Sequence, residues 1–319
     1  MNNKNIGRSA LYLSMILALA ACGGTDSHTD NGGGNGVPGA KIELDPNGYS
    51  ARQASINEWT DVEAATQVYT QVLSVSYLGL IEEIEERIDD SWADPTSSGN
   101  RHTWSCENGA GTAVAAISRG SSHEQVQWQF SNCEIQTDSY DRLLLDGTYQ
   151  YLNQLVSRSP EGANLIGSEY FQVSGTFLTS NDAFKLQGRT DWDEFYATDA
   201  FASVHRIGAL ELVRGDHYLA LSDVTVSFAG DDDGDVFTLK GKVISSAING
   251  YVTISTPAEI SQPNGMTCPE KGLARITGQD NSYAEIRYGA DSGTSDAAVV
   301  EINGSRAKAL TCPEAGRIL

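Results

Sequence analysis

Basic residues are scarce. Lys and Arg number 21 against 42 Asp and Glu, so the chain of 319 residues carries a formal charge of −21. That deficit excludes a nucleic-acid partner, whose phosphates would be repelled and not steered in. Beyond residue 22 no apolar run approaches the roughly 20 residues that a membrane-crossing helix needs. Catalytic signatures are missing as well. There is no Gly-x-Ser-x-Gly elbow and no phosphate-binding glycine loop. Ser121-Ser122-His123-Glu124 sets a His beside a Glu, but no second His follows at zinc-protease spacing. His102, His205 and His217 are dispersed among polar neighbours and read as surface or strand-end residues. The Cys-x-x-Cys spacing of a structural zinc site or a redox pair is absent too. These absences predict a protein that is not an enzyme and takes no cofactor. What remains is ample for folding. Hydrophobic residues make up 40%, enough for a real core in one large β domain or two ordinary ones.

The first residues read as an export signal. Lys4 and Arg8 precede a short apolar stretch, Leu11 to Leu19, which ends at Ala20-Ala21-Cys22. Leu19-Ala20-Ala21-Cys22 resembles the lipobox of bacterial prolipoproteins. The resemblance covers only the N-terminus. It implies that residues 1–21 are removed, that Cys22 is lipidated, and that three acyl chains hold the protein almost permanently on a membrane. Gly23 stands where an Asp would signal inner-membrane retention, so the resemblance points to the outer membrane, with the periplasmic side and the cell surface both open. Residues 22–40 then read as the lipidated Cys and a flexible Gly- and Asn-rich tether, with a coil reach of roughly 20–25 Å. Residues 41–319 form the folded part.

Four cysteines remain, an even number suited to an oxidising compartment. The two local pairings, Cys106 with Cys133 and Cys268 with Cys312, each bracket strand-like sequence and are the pairings expected. Thr267-Cys268-Pro269-Glu270 is echoed by Thr311-Cys312-Pro313-Glu314, which reads as two equivalent turns locked together by the second bond.

Residues 57–92 carry three- and four-residue apolar steps through Val62, Ala65, Tyr69 and Val72 to Leu80 and Ile84, which predicts one long helix capped by Asn57 or Thr60. Its middle is apolar around most of its circumference, and a strand pair over 68–80 is the alternative. After Arg101 the period changes to two, as in Val126-Gln127-Trp128-Gln129-Phe130, with Gly, Asn, Asp and Ser between the runs. An apolar-x-Gly step recurs at Gly147, Gly175, Gly188, Gly241, Gly250, Gly278 and Gly304, and Gly inside strands lets a sheet bend. The fold expected is mainly β: a curved antiparallel sheet or half-open barrel packed on one long N-terminal helix.

Two clusters carry possible chemistry. Asp231, Asp233 and Asp235 offer the hard oxygen ligands that Ca²⁺ prefers, although the run also suits a solvated hairpin tip. Asp191-Trp192-Asp193-Glu194-Phe195-Tyr196 could stack a sugar or a flat apolar ligand, or form a loop whose aromatics tuck onto the core. The function expected is that of a lipid-anchored envelope protein carrying a hydrophobic ligand between helix and sheet, with Val72, Leu73 and Leu80 lining its site. A structural or assembly lipoprotein that binds another envelope protein is the alternative, and an envelope hydrolase the weaker one. The partners implied are the membrane, through the anchor, and an apolar small molecule or an envelope protein.

Overall fold

The computed structural model describes residues 48–69, 96–136, 142–160, 162–289, 292–293 and 296–315. Cys22, and Val72, Leu73 and Leu80, lie outside the described residues. Fifteen strands occur among those described. They are β1 (Thr96–Ser98), β2 (Arg101–Ser105), β3 (Thr112–Arg119), β4 (His123–Ile135), β5 (Leu143–Ser159), β6 (Gly162–Phe177), β7 (Asp182–Tyr196) and β8 (Ala200–Arg214). There follow β9 (His217–Asp231), β10 (Gly234–Ser245), β11 (Gly250–Pro263), β12 (Lys271–Thr277), β13 (Tyr283–Gly289), β14 (Ala298–Ile302) and β15 (Ser305–Leu310). They form one antiparallel sheet whose spatial order is the chain order, and the sheet is not closed.

Alternation decides what each strand buries. In β7, Phe184, Leu186 and Trp192 are buried while Lys185 and Asp193 are exposed. The register lines such positions up across the sheet. One row runs Tyr149, Phe171, Gly188, Leu210, Leu221, Val243 and Val252. This face is the core face. Its residues join Ile56, Val62 and Ala65 in one continuous cluster. The opposite face is mostly polar, with a small second cluster of Tyr218, Ala220 and Ile244 against Tyr49 and Tyr251. Register slips interrupt the ladders between Arg189 and Thr190 and between Lys240 and Lys242, and each such bulge adds local bend and twist.

The N-terminal segment clips across the strand ends. Tyr49 stacks on Tyr218 at 5.7 Å. The Ala54 N–H donates to the Tyr251 carbonyl at 2.8 Å, and the Ala54 carbonyl accepts from the Gln279 N–H at 2.7 Å. The Ile56 N–H donates to Ser282 Oγ at 2.9 Å, and Asn303 Nδ2 donates to the Ile56 carbonyl at 3.2 Å. Two of the recurrent glycines serve this crossing and not a bend. A Cβ on Gly250 would stand 2.4 Å from the Arg52 carbonyl oxygen, and one on Gly278 would stand 2.4 Å from that of Ala54. Gly304 is different again. With Asn303 it forms the two-residue turn between β14 and β15, at φ 79° and 51°.

Of the helix expected over 57–92, the described residues carry α1 (Trp59–Tyr69), and the rest of that span lies outside them. The long helix is therefore not part of the described fold. The start of α1 also corrects the expected cap. Neither Asn57 nor Thr60 supplies the acceptor: Asp61 Oδ2 reaches back to the N–H groups of Asn57 at 2.8 Å and Glu58 at 3.0 Å. A carboxylate in the first turn satisfies free donors and complements the helix dipole, so Asp61 serves on both counts. Val62 and Ala65 turn to the core, and α1 packs against β9 and β10.

Both expected disulfides are present, Cys106–Cys133 and Cys268–Cys312. The first ties the turn before β3 to β4. The second joins the two Thr-Cys-Pro-Glu segments, but these are not equivalent turns. The second segment forms a helical turn, Cys312–Ala315, fixed by Glu314 Oε2, which accepts from the Thr311 N–H at 2.8 Å and the Thr311 hydroxyl at 2.9 Å.

Candidate functional site

Toward the C-terminal end of β7 the core face changes chemistry. The alternation that buries Phe184 and Leu186 continues through Thr190, Trp192, Glu194 and Tyr196. The expected loop at Asp191 to Tyr196 is thus a strand. Its period of two sends Trp192, Glu194 and Tyr196 to the core face and Asp191, Asp193 and Phe195 to the other. On that other face Arg189 pairs with Asp191 at 2.8 Å, and Arg206 pairs with Asp193.

The core-face side chains form an aromatic track. Trp192 stacks between Tyr151, at a centroid distance of 5.8 Å, and the His205 ring at 6.3 Å. Gly167 lies opposite Trp192 on β6, and the indole covers it: a Cβ at Gly167 would stand 2.2 Å from both Cε2 and Cζ2 of Trp192. Only a residue without a side chain lets the indole lie down here. Further along, Tyr196 faces Phe201 at 4.7 Å, and Phe201 meets Phe228 edge-on at 5.4 Å. Such tilted and edge-on pairs suit the ring quadrupoles.

Ionisable groups interrupt the rings. Glu194 accepts a hydrogen bond from the Tyr196 hydroxyl at 2.9 Å. Burial raises its pKa, and the tyrosine hydrogen bond pulls the other way. The Tyr196 hydroxyl is pushed up by its own burial and by the neighbouring Glu194 charge. Burial, with the Arg206 charge adding to it, lowers His205 to about 4, so its ring is neutral at neutral pH. Tyr149 donates to the buried Glu169 at 3.3 Å. Asn153 shares the row of Gly167, Trp192 and His205, and its Oδ1 is buried without a hydrogen-bond partner among the described residues.

This surface combines aromatic rings with a few polar groups, Glu169, Glu194, His205 and Asn153. His205 was expected at a strand end or on the surface. It sits mid-strand on the core face, and only the register with Trp192 reveals that. His102, by contrast, lies on β2 with its Nδ1 3.0 Å from Ser97 Oγ, and Glu124 beside His123 pairs with Arg119 at 2.7 Å.

The acidic run is a hairpin tip. Asp231 ends β9, Gly234 opens β10, and the Asp231 carboxylate accepts the Asp233 N–H at 2.9 Å. Asn264 Nδ2 donates to the Asp232 carbonyl at 2.8 Å. Asp235 turns over Gly230, and its pKa is raised by burial and by the Asp231 charge. The tip thus uses its own carboxylate to hold the turn. Among the described residues no group of three or more His, Cys, Asp or Glu side chains, Asp231, Asp233 and Asp235 included, is placed to hold a metal ion. Also among the described residues, no helix is long and apolar enough to cross a membrane. Compared with family models, curated proteins and solved structures, the chain matches none of them.

Proposed function

We propose that this chain is a lipid-anchored protein of the bacterial outer membrane that binds an apolar ligand on the core face of its sheet. The observation that carries the ligand reading is the track of Tyr151, Trp192, His205 and Tyr196, in which Trp192 is buried and the other three rings are half-buried, with Glu194 and Asn153 among them on the core face. The anchor reading rests on Leu19-Ala20-Ala21-Cys22 and the Gly-rich tether behind it.

We also infer that the sheet curves around α1. The helix packs against β9 and β10, yet its first residue, Trp59, takes Lys308 of β15 over its ring at 4.4 Å. In a flat sheet β10 and β15 would stand about 24 Å apart. An 11-residue helix spans only about 16 Å. Curvature would bring the two flanks of the sheet within reach of one helix and give the track a concave setting.

Two measurements test the function. Cys22→Ser is expected to abolish palmitate labelling and to release the protein from membranes; a variant that stays in the pellet and still labels refutes the anchor. The released protein, free of detergent, is expected to bind the neutral probe N-phenyl-1-naphthylamine with a rise in probe emission and a change in Trp192 fluorescence. Absence of both changes refutes the ligand reading.

A further inference from the structure

We propose that the end of the track around Glu194 is a site for an alkylated ammonium group, so that the apolar ligand carries a substituted ammonium head. The inference rests on the ligand reading above and specifies its chemistry. Glu194 stands between Trp192 and Tyr196 on one strand face, two positions from each. Phe201 lies directly across from Tyr196, and Ser203 across from Glu194. Phe228 closes the row behind Ser203. Trp192 and Tyr196 therefore flank Glu194 along β7, and Phe201 stands on the neighbouring strand across from Tyr196.

Glu194 has no basic partner among the described residues; its hydrogen bond comes from Tyr196. Two cations of the adjoining strand segments are committed elsewhere. Arg189 and Arg206 project from the opposite face and are held by Asp191 and Asp193. His205, the one base on this face beside Trp192, is neutral. The immediate neighbours of Glu194 thus offer negative charge and aromatic rings; Arg158, exposed in the row of Ala163 and Tyr196, stands two strands away on β5.

Ring faces attract cations, and they discriminate best for alkylated ammonium ions, which are weakly hydrated and fill a cage by contact. A carboxylate or phosphate head placed here would meet Glu194 and lose its water without compensation. A fatty acid is therefore the wrong ligand for this end of the track. The Tyr196 hydroxyl has a second use in this arrangement. It holds the carboxyl in place when the site is empty, and its ring stays in position when the cation arrives.

The test uses the chain carrying Cys22→Ser, purified free of membrane, and displacement of bound N-phenyl-1-naphthylamine at pH 8. Three competitors of similar shape are compared: benzyltrimethylammonium, its uncharged isostere neopentylbenzene, and phenylacetate. The cation is expected to displace the probe at roughly tenfold lower concentration than the isostere, with phenylacetate the weakest. Glu194→Gln keeps shape and burial, and should bring the cation to the level of the isostere, each displacement being read against that variant's own probe affinity. Phe201→Leu keeps the charge and should cut the preference several-fold. Tyr196→Phe keeps the ring and should preserve it. Probe binding with no preference for the cation, or a preference that survives Glu194→Gln, overturns the ammonium site and leaves the ligand reading standing. No probe binding at all overturns both.

Discussion

Gly167 and Gly208 make a paired experiment, because the same substitution should act oppositely at two positions two strands apart. At Gly167 a Cβ would approach Trp192 Cε2 and Cζ2 to 2.2 Å, whereas at Gly208 nothing lies within 4 Å. Carbon atoms settle at about 3.5–4.0 Å, so Gly167→Ala must lift the indole by roughly 1.5 Å. The indole cannot retreat sideways, since Tyr151 and His205 stack on it at 5.8 and 6.3 Å. Overpacking of this kind costs about 1–3 kcal/mol, and the domain is large enough that this becomes a fall in Tm of roughly 3–10 °C. Gly208→Ala should change stability by no more than about 0.5 kcal/mol, or raise it slightly by restricting the unfolded chain. The assay is thermal unfolding, combined with the near-ultraviolet difference spectrum against Trp192→Phe. Gly167→Ala should lose Trp192 ellipticity and Gly208→Ala should keep it. If both variants melt like the parent and keep the same Trp192 signal, Gly167 is not under the indole, and the register that builds the aromatic track is wrong.

Other consequences are open to measurement. Non-reducing peptide mapping should recover Cys106 with Cys133 and Cys268 with Cys312. Replacing both members of either pair by Ser should cost about 2–5 kcal/mol, and a crossed pairing would refute the assignment. His205 titrates at about 4 in the folded protein, below the roughly 6.5 of an unfolded chain. Its neutral burial therefore adds stability in full above about pH 6.5, and that stability is lost as the pH falls toward 4. His205→Phe should flatten this part of the Tm profile, and an unchanged acid slope would refute the burial. Phe171 is fully buried and stacks on Tyr149 at 4.9 Å. Phe171→Ala should cost about 3–5 kcal/mol in chemical denaturation, and a loss below about 1 kcal/mol would show that the row through Gly188 is not core.

How far the sequence could be read depended on whether a signal was local. Strand alternation is local, so Trp128 and Phe130, or Val224 and Val226, announced a β architecture without reference to any partner. The disulfides were legible because each pair brackets a short run of strands. Glu194 and His205 were not, because a period of two says only that neighbours face opposite ways. Which face is the core depends on register with β6 and β9, and one residue of slip would have sent Asp193 inward instead. The glycines failed for a related reason. Gly250 and Gly278 look like strand benders, but what they accommodate is the backbone of Arg52 and Ala54, some two hundred positions away in the chain. The start of α1 misled because Asp61 caps backward from inside the helix, onto the N–H groups of Asn57 and Glu58.

The chain-order sheet has a consequence for how the molecule is made. Each strand finds its partner in the next one along, so nearly every ladder closes a short loop, and short loops cost little entropy to form. A fold built that way has low contact order for a β protein and need not assemble through distant pairings. A polypeptide delivered from its N-terminal end could add hairpin after hairpin as each arrives, with no strand waiting for one not yet present. The exceptions are the clip and α1. Ile56 bonds to Asn303 across a separation of 247 residues, and Trp59 waits for Lys308. The first folded residues to emerge would be the last to dock, and the aromatic track would be complete before the helix settles on the core beside it.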